Sequence, residues 1–394
     1  MAKRIYMDYA GATPLDPRVY KAMLPYFGKK FGNPSSIHAE GVLAKKALET
    51  ARRSVAGILQ ARADEIFFTS SGTELNNMAI LGIVAETATA DSRGLHADLR
   101  RNSEMHFITT AIEHSSVLEC FRELESRGAK VDYAQVRENG IVEPNTIAKL
   151  LRPETVLVSV GYANNEIGVI QPIRKISKVI RAHNLKTFFH SDGSQAPLYL
   201  DCNTDRLGVD LMTLDGHKMY GPKGVGILFV RRGTPLTPII FGGGQERGLR
   251  SATENVALIV GISRALEIAS SLRKKESTRL AILRDYFHSD VLKNIRTSNL
   301  IVNGDMKERL PNNLNISIPG TDTEFLLLKL DAEGIAVSTK SSCLGTEGGS
   351  YVVRALGGGE ARALSTLRFS FGRQTTKKDI DTVIKKLAVI LKTS

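Results

Sequence analysis

Cysteine is scarce in this chain: three in 394 residues, widely spaced. Cys120, Cys202 and Cys343 form neither a disulfide framework nor the paired spacing of a zinc site. No metal is therefore expected, and in a reducing compartment all three are thiols. No apolar run approaches the roughly 20 residues of a membrane span. The N-terminus, Met1-Ala2-Lys3-Arg4-Ile5, lacks the apolar stretch of a secretory signal. A cytoplasmic protein with no membrane partner is expected. The net charge is +12, but long Lys/Arg runs are missing. Scattered charge of this kind serves solubility, so no nucleic-acid partner is expected. Two phosphate motifs are also missing. The spacing of a P-loop is absent, and no Gly-x-Gly-x-x-Gly follows a strand, which argues against a nicotinamide dinucleotide.

The composition that is present, 42% hydrophobic and 24% charged, is that of a soluble globular protein. The length suits about two domains. Strands are expected at 5–9, 65–69, 105–110, 156–160 and 187–190, with further apolar runs at 209–214 and 225–230. Helices are expected at 39–59, 73–84, 115–126 and 173–181. Asp16 before Pro17 reads as a helix N-cap, and the polar stretch 87–103 as a surface insertion. This alternation predicts an α/β protein with a mostly parallel sheet between helices. After about Gly261 the texture changes. A long charged helix, 262–295, leads to strands at 313–318, 335–338 and 366–371 and helices at 323–333 and 377–391, a smaller α+β unit.

In parallel sheets, polar residues just past strand ends sit at the ligand crevice. Five such ends carry chemistry here. Thr69-Ser70-Ser71-Gly72-Thr73-Glu74 opens a helix, where free backbone N–H groups make an anion cradle or simply a cap. Glu113-His114 follows the next strand; a lone histidine is more often structural. Asn164-Asn165-Glu166-Ile167-Gly168 and Ser191-Asp192-Gly193-Ser194-Gln195 each read singly as a turn. Asp215-Gly216-His217-Lys218 lies between two apolar runs, and burial of a lysine there favours its nucleophilic form. Together the five ends suit pyridoxal phosphate (PLP): a helix N-terminus for the phosphate, a carboxylate for the ring nitrogen, a lysine for the aldehyde.

Ordered motifs along nearly the whole chain carry a family resemblance. They include Asp8-Tyr9-Ala10-Gly11-Ala12-Thr13-Pro14, Phe31-Gly32-Asn33-Pro34-Ser35-Ser36, Gly216-His217-Lys218-Met219-Tyr220-Gly221-Pro222-Lys223-Gly224, Gly242-Gly243-Gly244-Gln245-Glu246, Leu249-Arg250-Ser251-Ala252-Thr253, Ser341-Ser342-Cys343 and Leu367-Arg368-Phe369-Ser370. The chain resembles the class V, fold-type I PLP enzymes, and within them the cysteine desulfurases of the nitrogen-fixation and iron–sulfur-cluster group. The resemblance implies a large PLP-binding domain at 16–261 with a seven-stranded sheet. It implies a small domain, 1–15 with 262–394, that carries a catalytic cysteine loop.

It also implies roles. Lys218 would hold the PLP aldehyde and move the substrate Cα proton, and His114 would stack on the ring. Asp192 would pair with the ring nitrogen, and Asn165 and Gln195 would contact its hydroxyl. Gly72, Thr73 and His217 would hold the phosphate, joined by Thr253 from the other subunit of a homodimer. Arg368 would clamp the carboxylate of L-cysteine, a task suited to guanidinium, with Asn33 as a further substrate contact. Cys343 would take the substrate sulfur as a persulfide and pass it to an acceptor protein, a cluster scaffold or a thiolation carrier. Cys120, in the apolar stripe of a helix, reads as core.

Asp215 and the cysteine loop depart from the family pattern. Asp215 stands where Ser or Thr usually binds the phosphate. A carboxylate there repels a phosphate by about 1 kcal/mol or more at 4 Å, so either Asp215 turns away or the cup is altered. The cysteine loop carries Leu344 and Gly348-Gly349 in place of a Ser/Thr-rich continuation. Rival readings are a selenocysteine lyase, another class V aminotransferase-like enzyme, and a non-catalytic PLP-fold assembly partner.

Overall fold

The computed structural model describes residues 4–88, 105–183, 186–294, 299–340 and 348–392. The strands in chain order are β1 Ile5–Tyr6, β2 Ile66–Thr69, β3 His106–Thr110, β4 Lys130–Ala134, β5 Thr155–Ser159, β6 Phe188–Asp192, β7 Leu211–Asp215 and β8 Gly226–Val230. They continue with β9 Ile301–Val302, β10 Asn313–Ser317, β11 Ile335–Ala336 and β12 Thr366–Ser370.

Seven strands make one sheet in the order β2-β8-β7-β6-β5-β3-β4. The five neighbours from β7 to β4 pair in parallel, while β8 runs antiparallel to both β7 and β2. All residues of β2, β3, β7 and β8 are buried, which is why these strands read as near-continuous apolar runs.

Side chains alternate between the two faces with period two. Phe67, Phe107, Leu157, Leu211 and Leu228 join one apolar cluster with the helices Gly72–Ala88 and Ser115–Ser126. Phe68, Ile108, Val158, Met212 and Phe229 join the opposite one, with the helix Ile173–His183. Each such buried side chain stabilises the fold by about 1.5–3 kcal/mol. The helix Ala39–Leu59 sends Ala44, Leu48, Ala51, Val55 and Leu59 inward, a helical stripe, and ends on Gln60 at φ 55°.

The C-terminal part builds the antiparallel sheet β12-β10-β9, while β1 pairs in parallel with β11. A 39-residue helix, Val256–Asn294, packs on the helices Pro17–Phe27, Ala39–Leu59 and Lys377–Lys392. It begins six residues before the expected start. The strand expected over 5–9 is only Ile5–Tyr6. Most of the expected insertion at 87–103, and the expected helix end at Ile295, lie outside the described residues.

Elements not anticipated from the sequence include β4, β9, the two-turn helix Pro144–Leu150 and the short helices Thr204–Leu207, Tyr351–Ala355 and Gly359–Leu364. In β4 only Ala134 is buried, so an edge strand of Lys130-Val131-Asp132-Tyr133 carries a weak apolar pattern. Among the described residues no helix is long and apolar enough to cross a membrane.

Candidate active site

Chain order reverses between β3 and β5, with β4 placed outside β3. Such a switch point leaves a crevice beyond the strand ends. Here the crevice is a cavity of about 280 Å³. It is lined by Gly72, Thr73, His114, Asn165, Asp192, Gln195, His217, Lys218 and Arg368, among others. Nine of the residues expected from sequence thus converge on one space.

Lys218 ends a 3₁₀ turn, Gly216–Lys218, that leaves β7 directly. A Cβ at Gly216 would lie 2.7 Å from Pro222 O and 2.9 Å from Val225 O, so only glycine lets the turn fold so tightly. The lysine Nζ donates to Gly11 O at 2.7 Å and Ala10 O at 3.1 Å. These acceptors come from the N-terminal segment, which Gln195 also grips through Nε2 to Ala10 O at 3.1 Å.

Asp192 ends β6. Its Oδ2 accepts from Asn76 Nδ2 at 2.9 Å and its Oδ1 from Ser194 N–H at 2.9 Å. The carboxylate is oriented from both sides. His114 caps the helix Ser115–Ser126: its Nδ1 accepts from Ser116 N–H at 3.2 Å, which leaves the proton of the neutral ring on Nε2. Burial holds the His114 imidazole below its usual pKa, with Lys218 adding in the same direction and Asp192 opposing. The ring is therefore an uncharged plane, as stacking on an aromatic ligand requires.

At the anion cradle the structure departs from a simple phosphate cup. Gly72 N–H, at the N-terminus of its helix, donates to Asp215 Oδ2 at 2.8 Å. Asp215 Oδ1 accepts from His217 N–H at 3.2 Å and from His217 Nδ1 at 2.5 Å. Of the two alternatives raised by the sequence, Asp215 does not turn away; the cup is altered.

Burial alone would raise this carboxyl's pKa, but the His217 ring and the two backbone donors together hold it below the ordinary range. At the other end, Arg368 on β12 is 1% exposed. It reaches Asp8 Oδ1 at 2.6 Å and Asn165 O at 3.1 Å, while its Nε is buried without a partner among the described residues.

A model of the aminotransferase class-V family matches residues 5–383. The chain belongs to that family. It is 42% identical over 392 residues to a protein named cysteine desulfurase IscS from Dictyoglomus turgidum, covering 99% of this chain and 95% of the relative. A solved NifS-like protein superposes with a TM-score of 0.90 at 35% identity, covering 100% of both chains. A structure described as SspA in complex with cysteine matches at 31% identity and TM-score 0.77, over 94% of this chain and 99% of the other. The observed architecture is the α/β fold-type I one that the motifs imply.

Not every expected residue reaches this class-V cavity. Thr253 is exposed and borders a separate depression with Ser70, Arg250 and Glu254. Asn33 is exposed and its Oδ1 accepts from Ser35 N–H at 2.9 Å. Cys343 and its neighbours Ser341, Ser342 and Leu344 lie outside the described residues. Cys120 and Cys202 are buried, and burial pushes both thiols up to about 12.

Two cavity residues escaped the sequence reading as participants. Asn76, four residues after Gly72 and 1% exposed, orients Asp192; a polar residue on the buried side of an apolar helix is the signal. Glu113 was noted only beside His114. It is 5% exposed, and burial raises its carboxyl to about 7, against hydrogen bonds from Gly161 N–H and Thr110.

Proposed function

We propose that this chain is a PLP-dependent cysteine desulfurase that converts L-cysteine to L-alanine and loads the sulfur on Cys343. The observation that carries the reading is Lys218 and the doubly oriented Asp192 in one cavity with Arg368. The chemistry of the donor set fits PLP at three points: an amine, a carboxylate for the ring nitrogen and a neutral imidazole plane. The phosphate end fits only if Asp215 yields or shares its donors. When bound, the cofactor supplies an electron-withdrawing ring conjugated to the substrate amine.

The protein's own residues do the rest. Arg368 orients the substrate carboxylate with its forked donors. Lys218 Nζ takes the Cα proton and returns protons to carbon. Asp192, fixed by Asn76 and Ser194, would hold the proton on the ring nitrogen. The Cys343 thiolate attacks the substrate sulfur. An S–S bond forms, the C–S bond breaks with its pair left on carbon, and that carbon is then protonated to give alanine. The high pKa of the buried Cys120 and Cys202 thiols makes both poor nucleophiles, which favours Cys343 for this task.

The described residues flanking the cysteine loop also favour it. Ser338 pairs with Arg368, and Lys340 Nζ donates to Gly348 O at 2.7 Å. The N-terminal flank of the loop therefore leaves the backbone beside Arg368, and the Lys340 side chain ties the other flank to it.

The remaining expectations belong to the same proposal: a homodimer with Thr253 supplied across the interface, a sulfur-acceptor protein, a cytoplasmic setting, and domains at 16–261 and at 1–15 with 262–394. Phe31, Ile37, Val42, Leu43 and Phe241 expose large apolar side chains, which favours association of copies. The β1–β11 pairing favours grouping the N-terminus with the C-terminal part. The test is the absorbance of the purified protein and its response to L-cysteine, with alanine and sulfide measured against keto-acid exchange. Keto-acid exchange without alanine would return the chain to the aminotransferases.

A further inference from the structure

The cradle at the N-terminus of the helix Gly72–Ala88 has the geometry of an anion site, but the chain has placed its own anion in it. The Asp215 carboxylate sits 2.8 Å from Gly72 N, and a Cβ added at Gly72 would meet the same oxygen at 2.8 Å. The carboxylate thus rests tightly on the helix end. Its other oxygen takes both the N–H and the Nδ1 of His217. Donors that an incoming phosphate needs are consumed within the chain. Thr73, which is exposed, and the rest of the His217 side chain line the cavity beside this occupied end.

We propose that Asp215 is an internal competitor for the cofactor phosphate, a specificity-determining residue that weakens phosphate binding at this seat. The inference rests on the PLP reading above. A hydroxyl at this position donates to a phosphate. A carboxylate can only accept, and it adds a negative charge beside a ligand group carrying about −1.5 to −2 at pH 7. The phosphate can enter only by displacing Asp215 from Gly72 N–H or by sharing His217 with it. The seat therefore discriminates between forms of the cofactor: a phosphorylated pyridoxal meets this competition, an unphosphorylated one does not.

The experiment uses the full chain freed of cofactor, as wild type, Asp215→Ser and Asp215→Asn. Each is titrated with PLP and with pyridoxal, followed by cofactor absorbance. Each is also melted with and without inorganic phosphate. Both variants are expected to bind PLP about tenfold more tightly than wild type, a factor worth about 1.4 kcal/mol, with pyridoxal affinity unchanged. Phosphate is expected to raise the Tm of Asp215→Ser more than that of wild type. Asp215→Asn keeps the shape and an acceptor for Gly72 N–H, so it separates charge from folding damage. Equal PLP affinity in all three proteins, or tighter binding by wild type, overturns the inference and leaves the PLP reading standing. Failure of every protein to bind either aldehyde overturns the PLP reading itself. The phosphate melts then still decide whether Asp215 blocks the seat, since they need no aldehyde.

Discussion

The two ends of the cavity both present an anion-binding group to a chain aspartate, with different results. At the helix end, Asp215 uses both oxygens and takes three contacts, from Gly72 and His217. At the β12 end, Asp8 occupies one nitrogen of Arg368 and Asn165 O another, but Nε keeps no partner among the described residues. The first seat is saturated by its own chain; the second retains a buried donor. An unmet buried donor costs about 1–3 kcal/mol, so this seat, unlike the first, is not saturated by its own chain. The difference teaches that a saturated site resists its ligand, whereas an incompletely paired one is prepared for it. The same residue types, aspartate with a cationic or backbone partner, give both outcomes.

The largest effect is expected from breaking the open end. Arg368→Ala leaves Asp8 without its partner and removes the proposed clamp. Stability in urea should fall by about 3 kcal/mol and kcat/KM for L-cysteine by at least about a hundredfold, which is about 2.7 kcal/mol. Arg368→Lys keeps the charge and loses the fork. Its loss should lie mainly in KM, as steady-state kinetics would show.

A smaller effect distinguishes a third buried acid from both aspartates. Glu113 holds its proton to about pH 7 in the folded chain, above its unfolded value near 4.3. The native state then binds more protons, so this group's contribution to stability falls as pH rises from about 4.3 to 7. Glu113→Gln should flatten that decline, by a part of the about 3.7 kcal/mol that the two values bound, in urea melts taken across this window.

The smallest effect is at the closed end. The Asp215 carboxyl lies below its ordinary pKa of about 3.9 when folded. Its contribution to stability is complete above that value and is lost as pH falls through the folded one. Wild type should therefore exceed Asp215→Asn in stability at neutral pH by about 1 kcal/mol, with the gap closing in acid.

Much of this was legible because it is local. The helix Ala39–Leu59 has its bounds written in its apolar stripe, and five strand ends announce their polar residues. Asp215 could be recognised as anomalous, since a carboxylate does not suit a phosphate cup, but its direction could not. That direction depends on Gly72, 143 residues away. The pairing of Asp8 with Arg368, separated by 360 residues, was likewise invisible. Asn76 hid in an apolar helix, and β4 in an edge strand whose polar face meets solvent. What the sequence conceals is which of two compatible partners each charge selects, because tertiary packing decides it.

Sulfur transfer to Cys343 is read directly by mass analysis of the full chain after reaction with L-cysteine. One added sulfur atom on the Cys343 peptide is expected, with alanine formed in step, and neither in Lys218→Ala. In Cys343→Ala retained cofactor absorbance is expected with no persulfide. Full alanine-forming turnover by Cys343→Ala, or sulfur found on Cys120 or Cys202 instead, would contradict this transfer.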